Sequence, residues 1–159
     1  NEMGQASAPS DNFTLLSASS YHTCGLKRSG AVNCWGSGDW GRTSAPGGDF
    51  LSVAAGLFFS CAIAEDGEPQ CWGRDEYGET SPPTGPFTNI IAGKFHGCAL
   101  DATGSISCWG GPFPSIVTPP TANYVKIDSY HGHACGITLT GDMLCWGEDY
   151  DGMATPPEL

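Results

Sequence analysis

The strongest constraint on this chain is a thirteen-residue stretch, CGLKRSGAVNCWG at 24–36, that returns three times at a fixed interval of 37 residues. The later copies read CAIAEDGEPQCWG, CALDATGSISCWG and CGITLTGDMLCWG. Together the four copies use all eight cysteines of the 159-residue chain. A fixed period of this length is typical of propellers, solenoids and arrays, so we predict a single repeat domain over 1–159.

The repeat boundaries leave a surplus at one end. We place the repeats at approximately 12–48, 49–85, 86–122 and 123–159, and residues 1–11 duplicate the end of a repeat. Gly4 and Pro9 fall in the columns of Gly41 and Pro46. Asn1 thus lies inside a repeat, and we expect the numbering to begin at a mature or trimmed end. The surplus is compatible with a piece of a longer array, a subunit whose ends join its neighbours, or a linker carried at both ends.

Each repeat is predicted to form three short β-strands, the last two joined in a hairpin. Gly30 ends a three-residue loop, where a left-handed residue is required. If 28–30 form this loop, Cys24 lies opposite Cys34 at a separation that a disulfide spans. The alternatives are zinc ligands or buried free thiols, but each repeat supplies two ligands where zinc needs four. The predicted disulfides are Cys24–Cys34, Cys61–Cys71, Cys98–Cys108 and Cys135–Cys145.

The charge of the chain excludes several classes of partner. The formal net charge is −11, with six Lys and Arg residues in total. Nucleic acids and anionic membranes both need clustered cations, so neither is an expected partner. No apolar run is long enough to insert into a bilayer. Paired cysteines in a short chain are typical of an oxidising compartment, and we expect a secreted, extracellular protein.

The aligned columns resemble a known repeat superfamily. AAGLFFSCAI and IAGKFHGCAL carry the pattern aliphatic-x-Ala-Gly, an aromatic position, and x-Cys-Ala-aliphatic, and each repeat then ends in Cys-Trp-Gly. This pattern resembles the regulator-of-chromosome-condensation repeat. The paired-cysteine form is similar to the ectodomain repeats of Crinkly-type plant receptor kinases, and the short repeat to the secreted β-lactamase inhibitory propeller.

The resemblance implies an all-β fold of propeller-type blades. Such families usually close with about seven blades, whereas this chain has four repeats. It implies no common activity, because the superfamily includes exchange factors, inhibitors and receptor ectodomains. In the inhibitory propeller, the blade loops of one face grip the partner, which directs attention to the loops here.

Two aromatic columns outside the cysteine hairpins are the candidate binding residues. Trp40 and Tyr77 stand beside a linker glycine, and we expect them to be exposed. Tyr21, Phe58 and Phe95 stand at a strand-to-strand turn, where they either lie exposed or wedge between blades. Exposed aromatic residues are favoured anchors in interfaces and also stack on sugars. The expected ligand is therefore a protein or a glycan.

The remaining polar residues predict no chemistry. His22, His96 and His133 recur with the repeat and are expected to bond the backbone of their blades, while His131 is off the column. The His131 and His133 pair is the alternative metal site, but no metal or other cofactor is expected. No nucleophile accompanies a base at fixed spacing, so the protein is predicted not to be an enzyme. Acidic loop residues are expected to be solvated, because the spacing of a calcium loop is absent: Asp39, Asp75, Glu76, Glu148, Asp149 and Asp151.

Glycosylation is predicted at two kinds of position. Asn12 begins the sole Asn-x-Ser/Thr sequon, and Ser or Thr beside Pro recurs in every linker. The sequence as a whole favours a secreted, non-enzymatic binding or scaffold module that recognises a protein or glycan through its blade loops. The alternative is a structural subunit that assembles head-to-tail, with copies of itself as partners, into a larger ring or a glycosylated extracellular filament.

Overall fold

The computed structural model describes residues 1–149, 152, 154 and 155, and these form an all-β protein. The described strands make up four three-stranded antiparallel sheets, one for each repeat. In each sheet the strands follow chain order, so every repeat is one blade of a propeller. The predicted fold class is confirmed.

The bounds of the strands repeat from blade to blade. Blade 1 contains β1 (Phe13–Ala18), β2 (His22–Lys27) and β3 (Val32–Gly36). Blade 2 contains β4 (Phe50–Ala55), β5 (Phe59–Ala64) and β6 (Pro69–Gly73). Blade 3 contains β7 (Phe87–Ala92), β8 (His96–Asp101) and β9 (Ile106–Gly110). Blade 4 contains β10 (Tyr124–Tyr130), β11 (His133–Thr138) and β12 (Met143–Gly147). Short 3-10 helices at Asp39–Gly41 and Pro114–Val117 lie in the linkers, and the described part of the chain has no helix capable of crossing a membrane.

The hairpin turn fixes the register that was predicted. The Lys27 amide donates to the Ala31 carbonyl at 2.8 Å, and the Gly30 amide donates to the Lys27 carbonyl at 3.0 Å. Gly30 has φ of +91°, the left-handed conformation expected of it. Hydrogen-bonded and non-hydrogen-bonded pairs alternate along an antiparallel ladder, so the cysteine pair falls at a non-hydrogen-bonded position, where strands approach most closely. The four disulfides are confirmed, each with a Cα–Cα distance of 4.0 Å: Cys24–Cys34, Cys61–Cys71, Cys98–Cys108 and Cys135–Cys145.

Neighbouring blades share a hydrophobic core. Between blades 2 and 3, Phe59 and Ile63 pack with Ile90 and Ala99, and similar clusters join blades 1 and 2 and blades 3 and 4. The turn glycine also links the blades, because its carbonyl accepts the first strand amide of the next blade. The bonds are Phe50 N–H to Gly30 O at 2.8 Å, Phe87 N–H to Gly67 O at 2.9 Å and Tyr124 N–H to Gly104 O at 2.8 Å.

Each linker packs on the blade that follows it. The Arg42 carbonyl, in the linker after blade 1, accepts hydrogen bonds from Ser60 Oγ and Trp72 Nε1 of blade 2, both at 2.9 Å. Residues 1–11 take the same place on blade 1, where Thr23 Oγ1 donates to the Gln5 carbonyl at 3.0 Å. The segment that duplicates a repeat end therefore packs on blade 1 in the way that the linker after blade 1 packs on blade 2.

The two outer blades each present a face that is buried in the other blades. Leu16 of blade 1 is 60% exposed, whereas its counterparts Val53, Ile90 and Ile127 are each 4% exposed. Ile137 of blade 4 is 40% exposed, while its counterparts in blades 1 to 3 are buried. Within the described residues, blades 1 and 4 share no core cluster. Over the residues that the structure describes, the four blades therefore form an open arc.

Removing one disulfide tests how much the cross-link contributes. We expect the double variant Cys61→Ser/Cys71→Ser to lose about 2–3 kcal/mol of unfolding free energy, because the bridge restricts the unfolded chain. Urea denaturation monitored by tryptophan fluorescence measures this loss. The exposed double variant Glu65→Gln/Asp66→Asn in the same blade is the control, with little expected change. Equal stability of the disulfide variant and the native chain would contradict the prediction.

Candidate functional site

Five aromatic side chains from three blades and two linkers form one continuous surface, which we call the aromatic strip: Tyr21, Trp40, Phe58, Tyr77 and Phe95. Phe58 is its centre, with ring centroids 6.3 Å from Tyr21, 5.6 Å from Phe95 and 5.6 Å from Trp40. Tyr77 meets Phe95 edge-on at 5.3 Å. These separations are within the range of favourable aromatic pairs.

The turns between the first and second strands of the blades place the centre of the strip. In each turn an amide bonds back across the loop, as from Gly56 to the Phe59 carbonyl at 2.9 Å and from Gly93 to the His96 carbonyl at 2.9 Å. The Leu57 amide then donates to the Gly93 carbonyl of the next blade at 2.9 Å. Because this bond joins the turns of blades 2 and 3 directly, the ring of Phe58 stacks on that of Phe95.

The linkers supply Tyr77 and the most exposed ring of the strip, Trp40. Trp40 is 60% exposed and has φ of +56°, a left-handed conformation that costs a non-glycine residue free energy. Tyr77 is held by a hydrogen bond from its amide to Glu79 Oε2 at 2.6 Å. Both rings stand beside the linker glycines, Gly41 and Gly78, as the sequence predicts.

Three cations lie against the rings, half of the six Lys and Arg residues in the chain. The Arg42 guanidinium lies 5.1 and 5.5 Å from the Tyr21 and Trp40 ring centres. Arg74 lies 5.0–5.5 Å from three ring centres, and Lys94 lies 4.7 Å from that of Phe95. Such positions allow cation–π attraction.

Carboxylates accompany two of these cations. Arg42, almost fully buried, donates to the Ser37 carbonyl at 2.9 Å and pairs with Asp39 at 3.1 Å. Arg74 pairs with Glu76. The strip is therefore a set of alternating rings and ion pairs rather than a bare apolar patch.

All five sequence-predicted binding residues come together in the strip. The column of Tyr21, Phe58 and Phe95 combines both expectations, because the rings stack across blades and keep exposed edges. Sequence reasoning missed the cations, which do not share a column: Arg42 aligns with Glu79, and Arg74 aligns with Ser37. The one sequence feature that could have drawn attention to them is that each stands within three residues of an aromatic loop residue, in a chain with few Lys and Arg residues.

The histidine column is structural, but its partners differ from the prediction. His22 is fully buried, and its ring bonds two hydroxyl groups rather than backbone: Ser60 Oγ at 2.7 Å and Ser19 Oγ at 3.1 Å. Ser60 donates to the Arg42 carbonyl, so Nε2 of His22 is the donor to Ser60. The Ser19 hydroxyl lies 3.1 Å from both Nδ1 and the carbonyl oxygen of His22. Burial lowers the pKa of His22 to about 4, and the Arg42 charge adds to the effect.

His96 occupies the same position without the serine. Ser60 stands 38 residues after His22, and Ala134 stands 38 residues after His96. Nε2 of His96 has no hydrogen-bond partner among the described residues. Burial lowers the pKa of His96 to about 4, with a smaller contribution from His133. Both buried rings are therefore neutral at physiological pH.

The other candidate residues lie apart from the strip. His131 is exposed at a turn with φ of +54°, and in the described ranges no three His, Cys, Asp or Glu side chains form a metal-binding group. Asn12 is exposed just before β1, and its glycosylation stays a prediction. Asp39, Asp75, Glu76 and Asp149 are exposed and Glu148 is half-buried, whereas Asp151 lies outside the described residues.

The fold and these sites define a disulfide-linked protein of β-propeller blades. The family model described as "Regulator of chromosome condensation (RCC1) repeat" matches residues 13–41, 50–79 and 124–152, more than half of the chain. The chain belongs to this repeat family. Curated protein sequences include no significant match.

Solved structures support the same placement. The Physcomitrella patens receptor kinase CR4 ectodomain has 30% identity and a TM-score of 0.77, covering 90% of this chain and 40% of that one. The CRINKLY ectodomain of the Arabidopsis thaliana receptor kinase ACR4 has 26% identity and a TM-score of 0.69, covering 87% and 51%. Saccharomyces cerevisiae Prp20p, at 16% identity, a TM-score of 0.77 and coverage of 89% and 47%, shares the fold alone.

The chain thus spans about half or less of the length of these structures. Four disulfides and similarity to receptor kinase ectodomains are both indicative of an extracellular propeller module.

The buried histidines generate a pH prediction. An unfolded histidine takes up a proton near pH 6.5, whereas folded His22 and His96 do so near pH 4. Stability is therefore fully present above about pH 6.5 and falls as the pH decreases toward 4, by up to about 3 kcal/mol for each ring.

Urea denaturation at several pH values in this window measures the effect. We expect His22→Gln/His96→Gln to flatten the pH dependence, and the exposed control His131→Gln to retain the native slope. An unchanged slope in the double variant would show that other groups cause it.

Proposed function

We propose that this protein is an extracellular, non-enzymatic binding module whose aromatic strip recognises a protein. The observation that carries the proposal is the convergence of five aromatic side chains from separate repeats on one partly exposed surface. Aromatic and arginine side chains are the groups most enriched among interface residues that dominate binding energy. The strip contains both kinds.

Three further features support a protein-binding surface. Trp40 remains largely exposed although burial would favour so large an apolar ring. Ion pairs and backbone bonds hold the loops, so little ordering is required on binding. A solved structure of similar fold is described by its binding to Gsp1p and histones, which are proteins. Glycans, which also stack on aromatic rings, remain the competing outcome of the test.

Screening libraries of displayed proteins and peptides for binding to the immobilised chain tests the proposal. We expect protein or peptide ligands whose affinity falls at least about tenfold in Trp40→Ala/Tyr77→Ala, because the exposed rings carry the contact. Tyr130→Ala is the matched control, since Tyr130 is exposed but outside the strip. A glycan array is screened in parallel. The proposal would be contradicted if Tyr130→Ala lowered ligand affinity as much as Trp40→Ala/Tyr77→Ala does. It would also be contradicted if the chain bound glycans and no protein or peptide.

A second candidate function is head-to-tail assembly, which the outer faces of blades 1 and 4 favour. Leu16 and Ile137 are the counterparts of Val53 and Leu26, which pack in one core cluster between blades 1 and 2. The free face of blade 4 would therefore fit the free face of blade 1 in another copy. Contacts of this heterologous kind form rings or filaments.

Sedimentation velocity over a range of concentrations tests assembly. We expect residues 1–159 to self-associate, and Leu16→Asp or Ile137→Asp to sediment as a monomer, because a buried unpaired charge opposes the contact. Leu51→Asp is the control, since Leu51 is exposed within an inner blade. A monomer at every concentration would reject this second function.

A further inference from the structure

Two linkers repeat a pairing of an acidic residue with an exposed aromatic ring. Asp39-Trp40 and Glu76-Tyr77 occupy the same columns, 37 residues apart, and each is followed by a glycine. The third linker has Phe113-Pro114 in these columns and lacks the pairing. The strip therefore presents two equivalent acidic–aromatic pairs on successive blades.

The rings of the strip already accept cations from the chain itself. Arg42, Arg74 and Lys94 make six ring contacts, with centroid distances of 4.7–5.5 Å. Trp40 nevertheless stays 60% exposed, and indole is the ring that attracts cations most strongly. A cation from a partner would therefore find exposed indole surface of the kind that the chain's own cations occupy.

The carboxylates keep acceptor capacity for a second cation. Ser37 Oγ and Arg42 both bond Oδ2 of Asp39, and the pair with Arg74 uses Oε2 of Glu76. The second oxygen of each carboxylate has no bond among the described residues, and a carboxylate has about four acceptor positions. Both side chains are more than half exposed, so a partner can reach them.

An independent feature is a buried carboxyl group next to the backbone of Tyr77. Glu79 is fully buried, and its Oε2 accepts the Tyr77 amide at 2.6 Å. Its Oε1 has no partner in the part of the chain that is described. A buried carboxyl without a counter-charge is costly, and a cation bound over Tyr77 would offset that cost.

We infer, resting on the proposed function, that the strip docks a polypeptide segment bearing two arginines, one over each acidic–aromatic pair. The guanidinium plane stacks on the ring and its N–H groups donate to the adjacent carboxylate. The net charge of −11 increases the rate at which such a segment arrives.

Calorimetric titration with a synthetic peptide tests this inference. The peptide carries two arginines separated by a Gly-Ser spacer, and its matched counterparts carry citrulline or glutamate at the same positions. We expect the arginine peptide alone to bind, more weakly as salt increases. Trp40→Ala or Tyr77→Ala should each lower the affinity about threefold to tenfold, and the double variant should abolish measurable binding.

A charge-matched pair of variants separates local contacts from overall attraction. Asp39→Asn/Glu76→Gln removes the two carboxylates of the strip, while Glu65→Gln/Asp66→Asn removes two at the opposite end of β5. Only the first should lower the affinity substantially, and thermal unfolding checks that both variants are folded. Equal loss in both variants, equal binding of the citrulline peptide, or no binding of the arginine peptide would overturn the inference.

The two proposals fail separately. If the display screen finds strip-dependent ligands that are neutral or acidic, the binding function stands and the arginine inference falls. If no ligand depends on Trp40 and Tyr77, both fall.

Discussion

The three-residue hairpin loop ending in glycine is the constraint on which the rest of the structure depends. Gly30 at φ of +91° sets the strand register, and that register brings Cys24 opposite Cys34. The same glycine carbonyl receives the Phe50 amide of the next blade. A Cβ at Gly30 would lie 2.8 Å from Asp49 Cβ, so both conformation and close approach exclude a side chain. One residue thus governs a covalent cross-link and a blade junction.

Local rules are sufficient to predict the blades. Loop length determines register, and register determines disulfide pairing, without knowledge of any other repeat. The strip depends on distances between repeats, which no local rule supplies. Its aromatic members could be found because they recur in columns, but their convergence follows from the rotation of one blade against the next. Arg42 lies against the Tyr21 and Trp40 rings, and Arg74 lies against the equivalent rings one repeat later. Because the two arginines stand in different columns of the repeat, periodicity could not predict that they occupy equivalent positions.

The buried histidines show a further limit of repeat alignment. His22 and His96 occupy one column and have similarly lowered pKa values. His22 has Ser60 as a partner, while Ala134 stands in that position for His96. A column predicts where a side chain lies, but its partner belongs to the following repeat and varies independently. Identical residues in successive blades therefore differ in how well their polar atoms are satisfied.

Because each linker packs on the blade that follows it, the boundaries of the sequence repeat differ from those of the structural unit, which consists of a linker and the next blade. The linker after blade 1 is part of the 12–48 repeat, yet its Arg42 carbonyl is bonded to Ser60 and Trp72. A cassette for inserting or exchanging a blade should therefore run from 37 to 73, which keeps a linker with the sheet that it covers. Cutting at the repeat boundary would instead join each blade to a linker from a different repeat. The tryptophans that donate to a linker carbonyl, Trp72 and Trp109, would then meet the carbonyl of another neighbour.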